Sequence, residues 1–166
     1  MNLAKQLGVV LVALLFVIAS VPNAHAANYR STMVVNFNPA FWDPPVGSNP
    51  IWVGTISGDI EGTMTFWATG PDPAKDLGYP PDGFPWQVHF FTEKWEIVTA
   101  DGTIKGIDKG NTGYSNWKFR MNGEVTEASG IYENLVGHKV HMDGQIEWTP
   151  GKVFAEGVAI GPVLIN

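Results

Sequence analysis

The segment WQVHFFTEKWEIV, residues 86–98, sets ionisable groups among aromatic ones at a spacing with chemical consequences. Side chains of an extended chain alternate between two faces. Gln87, His89, Phe91, Glu93, Trp95 and Ile97 therefore share one side, and Trp86, Val88, Phe90, Thr92, Lys94, Glu96 and Val98 share the other. His89 and Glu93 flank Phe91 and lie next to Trp95. A carboxylate held against aromatic walls has its pKa raised by desolvation, which suits a general acid or base near neutral pH. Glu61 and Trp67 fall on one face of DIEGTMTFWAT, residues 59–69, so Glu61 is a second candidate of the same kind. Glu61, His89 and Glu93 are the candidate catalytic groups, and Trp67, Trp86, Phe91, Trp95 and the loop residue Trp42 are candidates to line a ligand cavity. The competing reading of each glutamate is a solvated face with an ordinary pKa, because acidic residues are seldom fully buried.

These groups need a scaffold, and the pattern around them is that of strands. Short runs rich in Val, Ile, Thr, Phe and Trp recur between clusters of Gly, Pro, Asn and Asp, and no long apolar pattern at helical period is present outside the N-terminus. Strands are expected near residues 29–37, 51–57, 60–68, 86–99, 103–108, 114–121, 123–128, 138–148 and 152–160. Eight or nine strands of this length suit a small barrel or a sandwich. Asp101-Gly102 and Asn122-Gly123 read as hairpin turns, with glycine taking a positive φ, which makes an up-and-down meander the leading topology. Ser57-Gly58-Asp59 reads as a bulge or tight bend. The proline-rich stretches 38–50 and 69–85 cannot sit inside a sheet. They carry Phe41, Trp42, Tyr79 and Phe84, and aromatic loops of this kind are expected to fold over one mouth of a barrel.

Other chemistries lack their signatures. There is no phosphate-binding glycine loop before a helix, no GxSxG elbow and no HExxH pair. His138 and His141 are three apart and point to opposite sides of a strand, so no metal is expected there. Glu93 and Glu96 also face opposite ways, unlike the paired acids of a glycosidase. DGTIKGIDKGNTG, residues 101–113, does not have EF-hand spacing and reads as turns. No cofactor is expected.

The first 26 residues, with Lys5 ahead of an apolar run and Ala24-His25-Ala26 at its end, read as a cleaved secretory signal. A single domain over 27–166 and a secreted or periplasmic location follow, with no stable membrane insertion after cleavage. Of 10 basic residues, Lys5 alone lies in the signal, which leaves nine against 16 acidic ones and a charge of −7 on 140 residues. This balance disfavours nucleic acid and anionic lipid as partners. The chain has no cysteine, so neither disulfides nor thiol chemistry contribute.

The order of elements in FFTEKWEIVTADGTIKGIDKG and SNWKFRMNGEVTEASGIYENLVGHKVHMDGQIEW resembles that of the allene oxide cyclase and dirigent barrel superfamily. Ser129, Gly130, Ile131, Tyr132 and Gly137 match the spacing of a glycine-aromatic pattern that precedes a closing strand in those families, with Ala128 where a glycine is frequent. The resemblance spans the C-terminal half of the mature chain. It implies an all-β fold, a small antiparallel up-and-down barrel of about eight strands, lipocalin-like in shape, with an apolar cavity and a tendency to form homo-oligomers. It also implies cofactor-independent cyclisation or isomerisation of a small lipophilic molecule, or the steering of its reaction by shape. Asn36 and Pro39 in VVNFNP are loose analogues of the family's catalytic signature, Asn36 being a further candidate catalytic residue, and no residue here replaces the cysteine of the plant cyclases. Three functions stand side by side: such an enzyme, a noncatalytic carrier of a small hydrophobic ligand, and a structural or surface-assembly protein.

Overall fold

Strict alternation in YRSTMVVNF buries every second residue from Ser31 to Phe37 and exposes those between them. The same two-residue period runs around the molecule. A computed structural model describes residues 28–43, 45, 48–71 and 88–166. Its strands are β1 (Tyr29–Phe37), β2 (Trp52–Gly58), β3 (Gly62–Pro71), β4 (Val88–Val98), β5 (Thr103–Gly113), β6 (Lys118–Ala128), β7 (Lys139–Trp148) and β8 (Gly157–Ile165). Each pairs antiparallel with the next, and β8 returns to β1 to close an eight-stranded up-and-down barrel. Tyr29 lies opposite Ile165 across that seam. The expected fold class is therefore the observed one.

Two expected boundaries move. Asn122-Gly123 is not a turn: the segments expected at 114–121 and 123–128 form the one strand β6, with Asn122 opposite Lys109 and Gly123 opposite Asp108. The β5–β6 reversal falls instead at residues 114–117, and β5, expected over 103–108, runs on to Gly113, so residues 109–113 are strand rather than turn. The last strand lies at 157–165 rather than 152–160. Asp101-Gly102 does close a hairpin, with the Thr99 amide donating to the Gly102 carbonyl at 3.0 Å. Residues 57–59 belong to the β2–β3 reversal, not to a bulge within one strand.

The two ends of the barrel differ. One is filled by aliphatic and thioether side chains, among them Ile56, Met64, Ile97, Ile104, Val140 and Ile165, and is capped by the 3₁₀ helix Gly130–Leu135, which buries Tyr132 and Leu135. This is where the resemblance segment lies, and it plugs the barrel. At the other end glycines in the wall receive aromatic rings. A Cβ on Gly110 would lie 2.7 Å from the Phe91 ring, one on Gly144 2.7 Å from Phe119, and one on Gly157 2.4 Å from Trp148. The wall is thin where the rings are large, and the space that remains is the cavity described next.

Candidate functional site

A cavity of about 390 Å³ opens at the end away from the plug, within the size range of small-molecule sites. Its walls come from the inward faces of the strands: Met33, Val35 and Phe37 on β1, Trp52 on β2, Phe66 on β3, Phe91 and Glu93 on β4, Thr112 on β5, Phe119 and Met121 on β6, Ile146 and Trp148 on β7, and Ala159 on β8. The mouth is built from connections. Phe41 and Trp42 arrive on the 3₁₀ turn Pro39–Trp42, which Asn38 fixes by donating its amide to the Pro50 carbonyl at 2.9 Å and accepting from the Ala40 amide at 3.2 Å. The expectation that the 38–50 stretch folds over one mouth holds for Phe41 and Trp42, and the 69–85 stretch beyond Pro71 lies outside the described residues.

The rings around the mouth touch in sequence. Phe91 stacks on His89 at 5.8 Å between centroids, and His89 on Tyr114 at 6.3 Å. Tyr114 meets Trp117 edge-on at 5.2 Å, and Trp117 meets Phe154 at 5.6 Å and Trp148 at 5.5 Å. Trp148 continues to Phe37 at 5.2 Å, and Phe37 to Trp52 at 5.3 Å. Edge-to-face contacts of this kind add about 0.5–1.5 kcal/mol each beyond burial. Trp117 and Phe154 are the only non-glycine residues with positive φ among the described residues, at 54° and 60°, and both present their rings to the cavity. Left-handed backbone costs an aromatic residue of order 1–3 kcal/mol and concentrates at functional sites. The Trp148 indole nitrogen has no hydrogen-bond partner among the described residues.

The floor is acidic. Glu93 is 5 % exposed and lies opposite Asp108, which is 4 % exposed, so register points both carboxyls inward. Gly123 stands on the other side of Asp108. A Cβ there would fall 2.0 Å from the Ile107 carbonyl oxygen and 2.7 Å from the Asp108 Cβ, so only glycine leaves room for the acid. Neither carboxyl oxygen of Asp108 has a hydrogen-bond partner among the described residues. Burial pushes Asp108 up to about 7, and burial followed by the Asp108 charge pushes Glu93 well above the usual glutamate range. Glu93 lines the cavity and Asp108 does not, and both acids border a second cleft with Thr92, Lys109 and Glu124. The floor is thus an acid whose burial favours its protonated form, facing apolar space and backed by a second acid.

The candidate residues separate clearly. His89, Glu93, Phe91 and Trp42 line the cavity. Trp95 does not: it is 1 % exposed in the packed layer below Glu93, over Gly106, where a Cβ would come within 2.1 Å of its ring. Glu61 is exposed beside the β2–β3 turn, at the far end from the cavity. Asn36 is exposed on the outer face of β1, since the inward positions there are odd-numbered. Trp67 also faces outward, beneath the Lys94 ammonium at 5.5 Å, because β3 turns Met64 and Phe66 inward. Glu61, Asn36 and Trp67 are corrected accordingly. Trp86, Tyr79, Phe84 and the signal segment lie outside the described residues. Asp108 and the mouth residues Tyr114, Trp117, Trp148 and Phe154 were not singled out as site residues. The signal for Asp108 was alternation in TIKGIDKGNTG, whose inward set is Ile104, Gly106, Asp108, Gly110 and Thr112.

Among the described residues no group of His, Asp and Glu has the arrangement of a metal site. No family model, no curated protein and no solved structure matches this chain.

Proposed function

We propose that the protein binds a small, largely apolar molecule in the cup, with Glu93 as its polar contact. The observation that carries this reading is the coincidence of an aromatic-walled cavity with a buried acid at its base. A polar group is not buried without return in a stable fold, and a ligand is the partner this position can receive. The outer face carries Lys94, Lys105, Lys118, Arg120 and Lys139, all exposed, which suits water rather than lipid around the barrel. The N-terminal signal pattern supports export, and the resemblance to allene oxide cyclases and dirigent proteins supports a lipophilic ligand.

A cofactor-independent cyclase or isomerase is the second reading, favoured by Glu93 itself. A carboxylic acid that keeps its proton at neutral pH can donate it to a developing oxyanion or leaving oxygen, while the walls fix the substrate's conformation. His89 lies four residues from Glu93 on the same face of β4, beyond Phe91 and nearer the mouth.

Four of the seven tryptophans, Trp42, Trp52, Trp117 and Trp148, line the cavity. Titrating residues 27–166 with N-phenylnaphthylamine while reading tryptophan quenching should give saturable binding to one site, displaced by fatty acids, terpenoids or phenolics of the right class. Turnover of a displacing compound that stops in Glu93→Gln would mark the enzyme. Absence of saturable binding by any class would remove the reading and leave the structural one.

A further inference from the structure

The floor of the cup has an unbalanced charge requirement. Glu93 and Asp108 occupy paired positions on β4 and β5, both with inward side chains, and among the described residues neither forms an ion pair with a cation. Every described lysine and arginine is exposed. Those nearest, Lys94 and Lys109, flank the pair in sequence register on the outer face. Two adjacent acids without a counter-ion can hold little negative charge between them. A ligand that brings positive charge changes that balance, whereas an anionic ligand opposes it and a neutral one leaves it as it is.

The walls point the same way. The faces and edges of Phe91, Tyr114, Trp117 and Trp148 surround the approach to Glu93, and electron-rich ring faces attract a desolvated cation. The chain as a whole carries −6, which raises the local concentration of cations at the mouth.

We propose, resting on the ligand-binding reading above, that the ligand is a protonated primary or secondary amine on an apolar or aromatic body. Its ammonium pairs with the Glu93 carboxylate, Asp108 retains the proton that the pair shares, and the body packs against the ring of aromatic residues at the mouth. The protons balance: an ammonium entering from water displaces one proton from the acid pair to solvent, and a free amine takes that proton onto its nitrogen. Asp108 is a positioning residue here, since it stands behind Glu93 and not on the cavity wall.

The test is a matched series, phenylbutylamine, phenylbutanol and phenylbutyrate, titrated calorimetrically into residues 27–166. The groups facing Glu93 are Asp108 and Thr112 from β5, Met121 and Gly123 from β6, Ala68 from β3, and His89 and Tyr114 toward the mouth. Asp108 is raised to about 7 and His89 carries the neighbouring imidazole, so His89→Gln is run alongside to separate them. The amine is expected to bind about tenfold more tightly than the alcohol at about pH 8. Its affinity should rise with pH in both wild type and His89→Gln while the alcohol's stays flat. Glu93→Gln should abolish the preference for the amine over the alcohol. If Glu93→Gln does not fold by circular dichroism, the wild-type amine-to-alcohol ratio and its pH dependence decide. Alcohol binding as tight as the amine's overturns the amine assignment and leaves the ligand cavity standing; tightest binding of phenylbutyrate does the same. Failure of all three to bind overturns both.

Discussion

Asp108→Asn isolates the cost of keeping an acid at the floor of the barrel. Burial raises this carboxyl from 3.8 to about 7. A group whose folded pKa lies above its unfolded one contributes its full stability below the unfolded value, and that stability is lost as pH rises through the folded value. At about 1.4 kcal/mol for each tenfold change in proton affinity, ionising Asp108 in the fold costs about 2 kcal/mol at about pH 5 and about 4 kcal/mol at about pH 8. Asparagine has nearly the same shape and does not titrate. It introduces an amide whose own unmet hydrogen bonds cost about 1–3 kcal/mol, but that penalty is the same at both pH values. Removing the Asp108 charge also relieves the repulsion that raises Glu93, which acts in the same direction. Relative to wild type, Asp108→Asn should therefore gain about 2–3 kcal/mol between about pH 5 and about pH 8. With a urea slope of about 2 kcal/mol per molar, its midpoint should move by about 1 M relative to wild type over that interval. A difference in midpoint that stays constant with pH would refute the reasoning, because it would mean that Asp108 titrates alike folded and unfolded.

Further expectations follow from the packing. Gly123→Ala forces a methyl group against the Ile107 carbonyl oxygen and Asp108, and should destabilise the barrel by about 1–3 kcal/mol or more in urea unfolding. Leu135→Ala, at a fully buried position in the 3₁₀ plug, should cost about 2–5 kcal/mol and leave quenching by a cavity probe unchanged, since Leu135 is at the opposite end. Phe119→Ala removes a ring from the cavity wall; it should cost about 3–5 kcal/mol in stability and admit bulkier probes than wild type does, as read by fluorescence displacement. Glu61→Gln, at an exposed position far from the cup, should change stability by no more than about 0.5 kcal/mol and leave probe affinity as it was.

The barrel was legible because most of its strands obey a two-residue period with large apolar side chains on one face. Met33, Val35 and Phe37 on β1 and Val140, Met142, Ile146 and Trp148 on β7 can be read directly, and each set is inward. The period is silent where the inward face is made of small residues. On β8 the cavity-end positions are Gly157, Ala159 and Gly161, so the strand was placed five residues early. Gly123 looked like a turn because Asn-Gly favours one locally, but the need for space beside Asp108 selects glycine there in mid-strand. The same thin-walled β5 concealed Asp108 among glycines and lysines. Glu93 and His89 were found because β4 carries large aromatics at alternate positions, which fixes its faces. Glu61, Asn36 and Trp67 were misassigned because alternation sorts residues into two sets without saying which set faces in.

The most direct test of the account is a carbon NMR titration of the Glu93 and Asp108 carboxyl groups from about pH 4 to about pH 9, spanning their unperturbed and raised values. The account predicts that Asp108 titrates near about 7 and that Glu93 keeps its proton well beyond the usual glutamate range. Inflections of both groups near about 4, as for solvated acids, would contradict a buried acid pair at the base of an apolar cup.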